Sequence, residues 1–342
     1  MTSHDRSGSV RGGALLALGI VYLVWGSTYL AIRLAIETLP AFTMAGVRFL
    51  VAGSVLYLWA RGSGAPRPAA RQWRPAALIG LLLLLGGNGG VVWAEHRIPS
   101  GIAALLVAVE PVWIALLAPM VSGARRAGLK VASGLVAGLV GVAVLVVDPS
   151  GGLDPTSVDI AGAVAVVVAA LSWAIGSLVA TRADLPRSAG IATGMQMLAG
   201  GSALLLAGGL SGEWAAIDPA AFSARSLAAF AYLVVAGSIV AFTAYTYLLR
   251  NVRPNLVATY AFVNPVVAVL LGWLVAGEPL TWRVAVASAL ILMAVALIFS
   301  DHDEGREKTA AGAAEPPPAE PARREALGAV EPVLEAAEPR CA

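Results

Sequence analysis

Four polar residues stand inside apolar runs where ordinary packing gives them no reason to be. Glu110 is followed by Pro111 in VAVEPVWIALL (107–117), and Asn264 by Pro265 in AFVNPVVAVLL (261–271). Arg48 lies in AGVRFLVAG (45–53), and Asn88 has two glycines on either side in LGGNGGV (85–91). An ionisable group in hydrocarbon costs about 2.5–3.5 kcal/mol on insertion scales, so it faces a cavity or a partner. Three roles fit Glu110. It could form a permanent ion pair with Arg48, exchange a proton because the neutral acid is cheaper to bury than its anion, or bind a cationic group directly. Arg48 either pairs structurally or holds a carboxylate in its two-pronged fork. Pro111 and Pro265 each remove a backbone donor, and the carbonyls freed at such a helix break can serve as ligands.

These residues matter because of what surrounds them. Of 342 residues, 58% are hydrophobic and 13% charged, against about 45–50% and about 25% in an ordinary soluble domain. Too little polar surface is left to clothe a water-soluble particle. A net charge of +2 gives no sign of a nucleic-acid partner, and one cysteine, Cys341, rules out a disulfide scaffold or a cysteine metal site.

A helix needs about 20 apolar residues to cross about 30 Å of hydrocarbon. Ten windows qualify: 12–36, 41–60, 76–94, 101–122, 129–147, 159–180, 188–209, 227–249, 255–276 and 282–300. The expected fold is therefore an all-α integral membrane protein of ten transmembrane helices. With the N-terminus inside, the inner segments up to residue 300 hold thirteen Lys and Arg, and the outer loops only Arg97, Arg225 and Arg283. That asymmetry puts both termini in the cytoplasm and favours an even number of spans. Residues 1–11 read as a cytoplasmic tail rather than a cleaved signal. Residues 301–342, rich in Ala, Glu and Pro, read as a disordered cytoplasmic tail, because they bury too little apolar surface to offset ordering entropy.

The second half echoes the first. AGVRFLVAGSVLYL (45–58) aligns without gaps, at an offset of 148, with TGMQMLAGGSALLL (193–206), and Trp25 meets Trp173 at the same offset. EPVWIALL (110–117) matches NPVVAVLL (264–271), which sets Asn264 opposite Glu110; Arg48 is set opposite Gln196. Each half, 12–147 and 159–300, holds five windows, with 148–158 as an outer linker. An odd number of spans per repeat forces the halves into opposite orientations, a 5+5 inverted repeat. Such symmetry suits alternating access, in which two hemi-bundles exchange tilts around a midplane site.

Several stretches, YLVWGSTYLAIR (22–33), AGVRFLVAG (45–53), VVWAEHRIPSGIAALLVAVEP (91–111) and AFTAYTYLLRNVRPNLVATYAFVNPVVAVLLGWLVAGEPLT (241–281), resemble the EamA-type transporters of the drug/metabolite transporter superfamily. The resemblance spans residues 12–300. It implies a cavity walled by the first four helices of each half, with the fifth and tenth outside it, and export of amino acids or related metabolites. Two departures stand out. The end of the fourth window reads MVSGARR, lacking the Gly-Glu that Gly277-Glu278 supplies in the second half, and Glu110 replaces a commoner neutral residue.

Other side chains complete the expected cavity. Trp25, Trp113, Trp173, Tyr245 and Tyr260 offer an apolar wall for a planar or cationic solute, with packing or lipid contact as the alternative for each. Thr28, with Ser27 and Tyr29, adds hydroxyls, and Gln196 a neutral amide. Trp59, Trp73, Trp93, Trp214 and Trp282 sit near expected interfaces. Gly134, Gly138 and Gly141, like the alanines of the last window, suit a scaffold or a homodimer contact. No phosphate-binding loop, carboxylate cluster or membrane-embedded histidine points to ATP, a metal or another cofactor, and His4, His96 and His302 all lie outside the apolar windows. The reading is a secondary transporter of a small metabolite, with export favoured and proton coupling at Glu110 as one option. Its rivals are a membrane-embedded enzyme, for which Glu95-His96, the acid–histidine pair in a loop between two apolar windows, is the candidate, and a passive channel.

Overall fold

The computed structural model describes residues 13–122, 129–146, 158–251 and 260–297. The tails read at 1–11 and 301–342, and nearly all of the linker at 148–158, lie outside the described residues. What is described is helical, with no strand. In chain order the helices are α1 (Gly13–Ala35), α2 (Ala41–Gly62), α3 (Ala70–Ala94), α4 (Ser100–Val107), α5 (Glu110–Ser122), α6 (Leu129–Val146), α7 (Ile160–Ala180) and α8 (Ala189–Leu210). Then come α9 (Ala224–Tyr232, Leu233–Val240 and Ala241–Asn251 in one run), α10 (Tyr260–Ala276) and α11 (Trp282–Leu297). α4 and α5 are the two parts of one broken span. Among the described residues seven helices are long and apolar enough to cross a membrane, and three shorter apolar ones fall at Ala132–Leu145, Val263–Ala276 and Trp282–Leu297.

Local chemistry sets several helix starts. Asp159 accepts from the Gly162 amide at 2.6 Å and Ser223 from the Ser226 amide at 3.0 Å, each satisfying a donor that the first helical turn leaves open. Large apolar side chains remain exposed along most helices, including Leu23, Leu58, Leu139, Val168, Leu206 and Leu274. In water these would be an aggregation hazard; in lipid they are simply solvated.

The closest packing joins α2 to α8, and glycine makes it possible. A Cβ on Gly53 would stand 3.1 Å from the Gly194 carbonyl oxygen, and one on Gly194 would stand 3.0 Å from the Gly53 oxygen. Gly201 meets the Gly46 carbonyl in the same way, at 3.0 Å. Side chains at these positions would push the two backbones apart, so the sequence keeps them bare.

Three helices loosen into π-helical segments, at Val21–Trp25 in α1, Leu81–Gly89 in α3 and Leu233–Val240 in α9. A π segment inserts a residue per turn and leaves backbone groups poorly matched, which is why such segments collect at functional sites. The segments of α1 and α9 meet, since Trp25 Nε1 donates to the Gly237 carbonyl at 3.3 Å.

Candidate functional site

Arg48 on α2 is 4% exposed. Its Nε donates to the Ser238 hydroxyl at 2.8 Å, its guanidinium lies 4.8 Å from the Phe49 ring centre, and its Nη1 has no partner. Gly237, beside Ser238, leaves the needed space: a Cβ there would sit 3.2 Å from Arg48 Nη2 and 3.0 Å from Thr28 Cγ2. Trp25 Nε1 donates to the Gly237 carbonyl at 3.3 Å, and the Thr28 hydroxyl donates to the Trp25 carbonyl at 2.6 Å. Trp25, Thr28 and Arg48 thus converge on the π segment of α9.

Trp25 is also the hub of an aromatic group. Its ring centre lies 5.5 Å from Phe242, 5.1 Å from Tyr245 and 5.3 Å from Tyr260, and the two tyrosines are 6.0 Å apart, edge to face. Glu110 is within electrostatic reach of Tyr29, Tyr245 and Tyr260. It makes no hydrogen bond or ion pair among the described residues, and Arg48 is not its partner.

The backbone around Glu110 is broken. α4 ends at Val107, Ala108 and Val109 form a turn, and α5 restarts at Glu110, so the interruption falls within the one helical turn before Pro111. Pro265 behaves differently: α10 passes through it without interruption, so no break is seen there. A single missing donor is tolerated where a neighbour packs tightly, and here Gly26 of α1 is pressed against α10. A Cβ on Gly26 would stand 2.6 Å from Val267 Cβ and 3.2 Å from the Asn264 carbonyl oxygen.

Asn88 Oδ1, Asn264 Oδ1, Trp113 Nε1 and both carboxylate oxygens of Glu95 are, like Arg48 Nη1, buried without a hydrogen-bond partner. Leaving a buried polar atom unpaired costs about 1–3 kcal/mol, and more for a charged one. Six such atoms inside one helix bundle call for an explanation. Two sequence-expected residues stand at the margin. Trp173 packs on α3 beside Asn88, where a Cβ on Gly87 would be 2.8 Å from Trp173 Cε3. Gln196 meets α3 through its backbone carbonyl, pressed against Gly80, and no side-chain bond joins it to the cluster.

At one end of the bundle two carboxylates cap helix starts. Glu278 accepts from the Ser100 amide at 2.6 Å, the Ser100 hydroxyl at 2.8 Å and the Gly101 amide at 2.9 Å, capping α4. Gly277 makes this possible with a φ of 65°, turning the chain sharply after α10. Glu213 caps α2 likewise, accepting from the amides of Phe42 at 2.9 Å and Thr43 at 2.8 Å and from the Thr43 hydroxyl at 2.7 Å. Nearby, the Ser226 hydroxyl donates to the Leu34 carbonyl at 2.8 Å. Beside these caps, burial and the positive charge of Arg33 hold the His96 imidazole below its ordinary 6.5, with Glu213 opposing. At the opposite end Asp184 bridges to exposed Arg71 at 3.0 Å. A cleft of about 400 Å³ opens there between α2, α8 and α9, lined by Trp59, Ser63, Ser188, Thr193, Phe242 and Thr243 among others. Phe242 is its link to the centre, since its far side meets Trp25.

A model of the EamA-like transporter family matches residues 11–147 and again residues 160–300. The chain belongs to that family. Relatives of this EamA-like protein cover most of its length. A protein described as "Uncharacterized inner membrane transporter YedA" of Escherichia coli (strain K12) is 43% identical over 291 residues, 84% of this chain and 89% of the relative. "Protein PecM" of Dickeya dadantii is 30% identical over 81% of this chain and 91% of its own. A "Probable terminal-alkyne amino-acid exporter" of Streptantibioticus cattleyicolor is 27% identical over 83% and 93%. A crystal structure with 20% identity shares the fold, with a TM-score of 0.57 over 83% of this chain and 96% of the other. This is a multi-helix membrane transporter of the EamA-like type.

Sequence reasoning missed Glu95 as a core residue, because it follows the apolar window and adjoins His96 and Arg97. It also missed Ser238, whose only signal was a hydroxyl inside the apolar run LVVAGSIV (233–240).

Proposed function

We propose that the chain is a secondary transporter that moves a small polar or amphipathic metabolite, an amino acid or a related compound, out of the cell across the cytoplasmic membrane. The observation that carries this reading is the set of unpartnered buried atoms on Arg48, Asn88, Trp113 and Asn264. Each atom lacks a hydrogen bond among the described residues, and a polar solute arriving among them would supply it. The exporter named among the relatives supports the direction and the substrate class.

The mechanism we propose is alternating access in ten spans arranged as a 5+5 inverted repeat, with both termini cytoplasmic. Gly46 and Gly194 are repeat equivalents, as are Gly53 and Gly201, and the contacts run crosswise, Gly53 to Gly194 and Gly46 to Gly201. That reciprocity is how two related surfaces meet across a two-fold axis. In this orientation the Glu278 end faces outward and is shut, and the cleft beside Phe242 faces the cytoplasm.

Glu110 takes part as a proton-exchanging group or as the anion that receives a cationic substrate group beside Tyr245 and Tyr260. A permanent pair with Arg48 loses support, since Arg48 bonds to Ser238 instead.

The test is a thermal-stabilisation screen of the purified full chain against amino acids, amines and organic acids, followed by counterflow in liposomes with the stabilising compound. Saturable uptake accelerated by compound on the far side supports the reading. A channel gives no acceleration and an enzyme no exchange. pH-driven uptake that persists unchanged in Glu110→Gln removes proton coupling at that residue and leaves transport standing.

A further inference from the structure

Glu95 ends the α3 span, its amide still bonded to the Val91 carbonyl at 3.0 Å, and it is 0% exposed. Neither carboxylate oxygen has a hydrogen-bond partner among the described residues. The nearest cations do not pair with it. Arg33 donates to the Glu95 backbone carbonyl rather than to the carboxylate, and Arg48 gives its Nε to Ser238. An ionised carboxylate left in this state would be a buried, unpaired charge at the negative end of a helix, doubly unfavourable.

The groups facing it can be named element by element. α1 contributes Tyr29 and Arg33, α2 contributes Arg48, and the turn after α10 contributes Glu278. α4, α7 and the π segment of α3 bring no titratable side chain. On its own segment His96 and Arg97 follow directly, both exposed.

From this geometry we infer that Glu95 is a proton-binding site, occupied while the Glu278 end is shut and emptied when that end opens. The coupling is positional. Glu278 clamps Ser100 and Gly101, five and six residues beyond Glu95, and the short turn between them contains Ile98 and Pro99. Releasing the clamp frees that turn and admits water to a carboxyl whose chain neighbours already touch solvent. The O–H bond of Glu95 then breaks, the proton passes to water at that end, and the carboxylate left behind is stabilised by water and the charges of Arg33 and Arg48. Burial pushes the Glu95 carboxyl well above its ordinary 4.5; the charge of Glu278 adds to this, and Arg33 and Arg48 oppose it.

This inference deepens the transport reading by supplying its proton step, and its test needs no substrate, since the proton is the ligand. Infrared difference spectra of the purified full chain, titrated with pH, report the C=O stretch of a protonated carboxyl. The wild type should keep such a band well above pH 4.5. Glu95→Gln should lose the Glu95 contribution to that band, and Glu110→Gln should retain it. Glu95→Asp should restore a titrating band, which guards against a variant that merely misfolds. Glu278→Ala, by opening the clamp, should move the titration to lower pH. A band unchanged in Glu95→Gln overturns the proton site, and a titration unmoved by Glu278→Ala overturns its link to the gate.

Thermal denaturation gives a second readout. A carboxyl whose folded-state value is raised contributes stability at low pH that is lost as pH rises past 4.5. Glu95→Gln should therefore match the wild type in acid and be the more stable of the two at higher pH; equal stability throughout overturns the proposal. Counterflow stands apart from both measurements. Its failure would remove the transport reading and leave the proton site intact.

Discussion

Glu278→Ala tests whether the carboxylate caps hold one end of the bundle closed. The substitution removes three hydrogen bonds that one side chain accepts, at 2.6, 2.8 and 2.9 Å. A hydrogen bond to a charged group is worth about 1.5–3 kcal/mol in mutational series, yet bonds sharing one side chain do not add. Glu278 is only partly buried, so water recovers some of the loss. Deleting a helix cap alone costs about 0.5–2 kcal/mol. Between these bounds the expected effect is about 3 kcal/mol, or about 100-fold in the closed-to-open ratio at about 1.4 kcal/mol per tenfold. The reporter is a cysteine at Ala103, fully buried on α4 one turn inside the capped end, with Cys341, the single native cysteine, changed to serine. Maleimide labelling of Ala103→Cys in the purified protein then follows the open population. Labelling should accelerate about 100-fold in Glu278→Ala and less in Glu278→Gln, which keeps one acceptor oxygen. An unchanged rate with an unchanged melting temperature refutes the latch.

Other substitutions have smaller or opposite effects. Gly277→Ala has open space around the new methyl but must adopt a φ of 65°, so it should cost about 1–2 kcal/mol through strain alone, read as a lower melting temperature. Gly46→Ala meets the Leu205 amide nitrogen at 2.8 Å and should destabilise the α2–α8 pair by about 1–3 kcal/mol in the same assay. Gly19→Ala, with nothing within 4 Å, should be neutral or gain about 0.4–1 kcal/mol, which separates the packing argument from a general dislike of side chains. Gly138→Leu should reduce folded yield, because a Cβ there already stands 3.2 Å from Val112 Cγ2.

The fold was largely legible because membrane spans write themselves in composition. The apolar runs around Arg48, Asn88, Glu110 and Asn264 marked helices, and matched glycines such as Gly53 and Gly201 pointed to a repeat. What the sequence could not supply was azimuth. Depth along a helix follows from counting residues, but whether Arg48 turns toward Glu110 or toward Ser238 depends on how neighbouring helices rotate, and Ser238 is its partner. Tertiary register also decided the π segments. Leu233–Val240 reads as an ordinary apolar helix, and only its packing against Thr28 and Arg48 shows why the looser turn is there. The burial of Glu95 was missed for a related reason. A carboxylate just past an apolar window normally faces water, and its burial depends on α1 and α4 closing over it. α10 runs through Pro265 without a break, and Gly26 lets α1 press against that turn, a contact invisible at a separation of more than 200 residues.

The central claim is that the unpartnered atoms of Arg48, Asn88, Trp113 and Asn264 receive a transported solute. Counterflow in liposomes with the best compound from the stabilisation screen tests it most directly, comparing the wild type with Asn264→Leu, which removes one waiting acceptor and keeps a similar volume. The account predicts saturable, trans-accelerated exchange in the wild type and at least about a tenfold weaker apparent affinity in the variant, since one lost hydrogen bond in a dry site is worth about 1–3 kcal/mol. Exchange of equal affinity in both proteins, or none in the wild type for any compound screened, would contradict it.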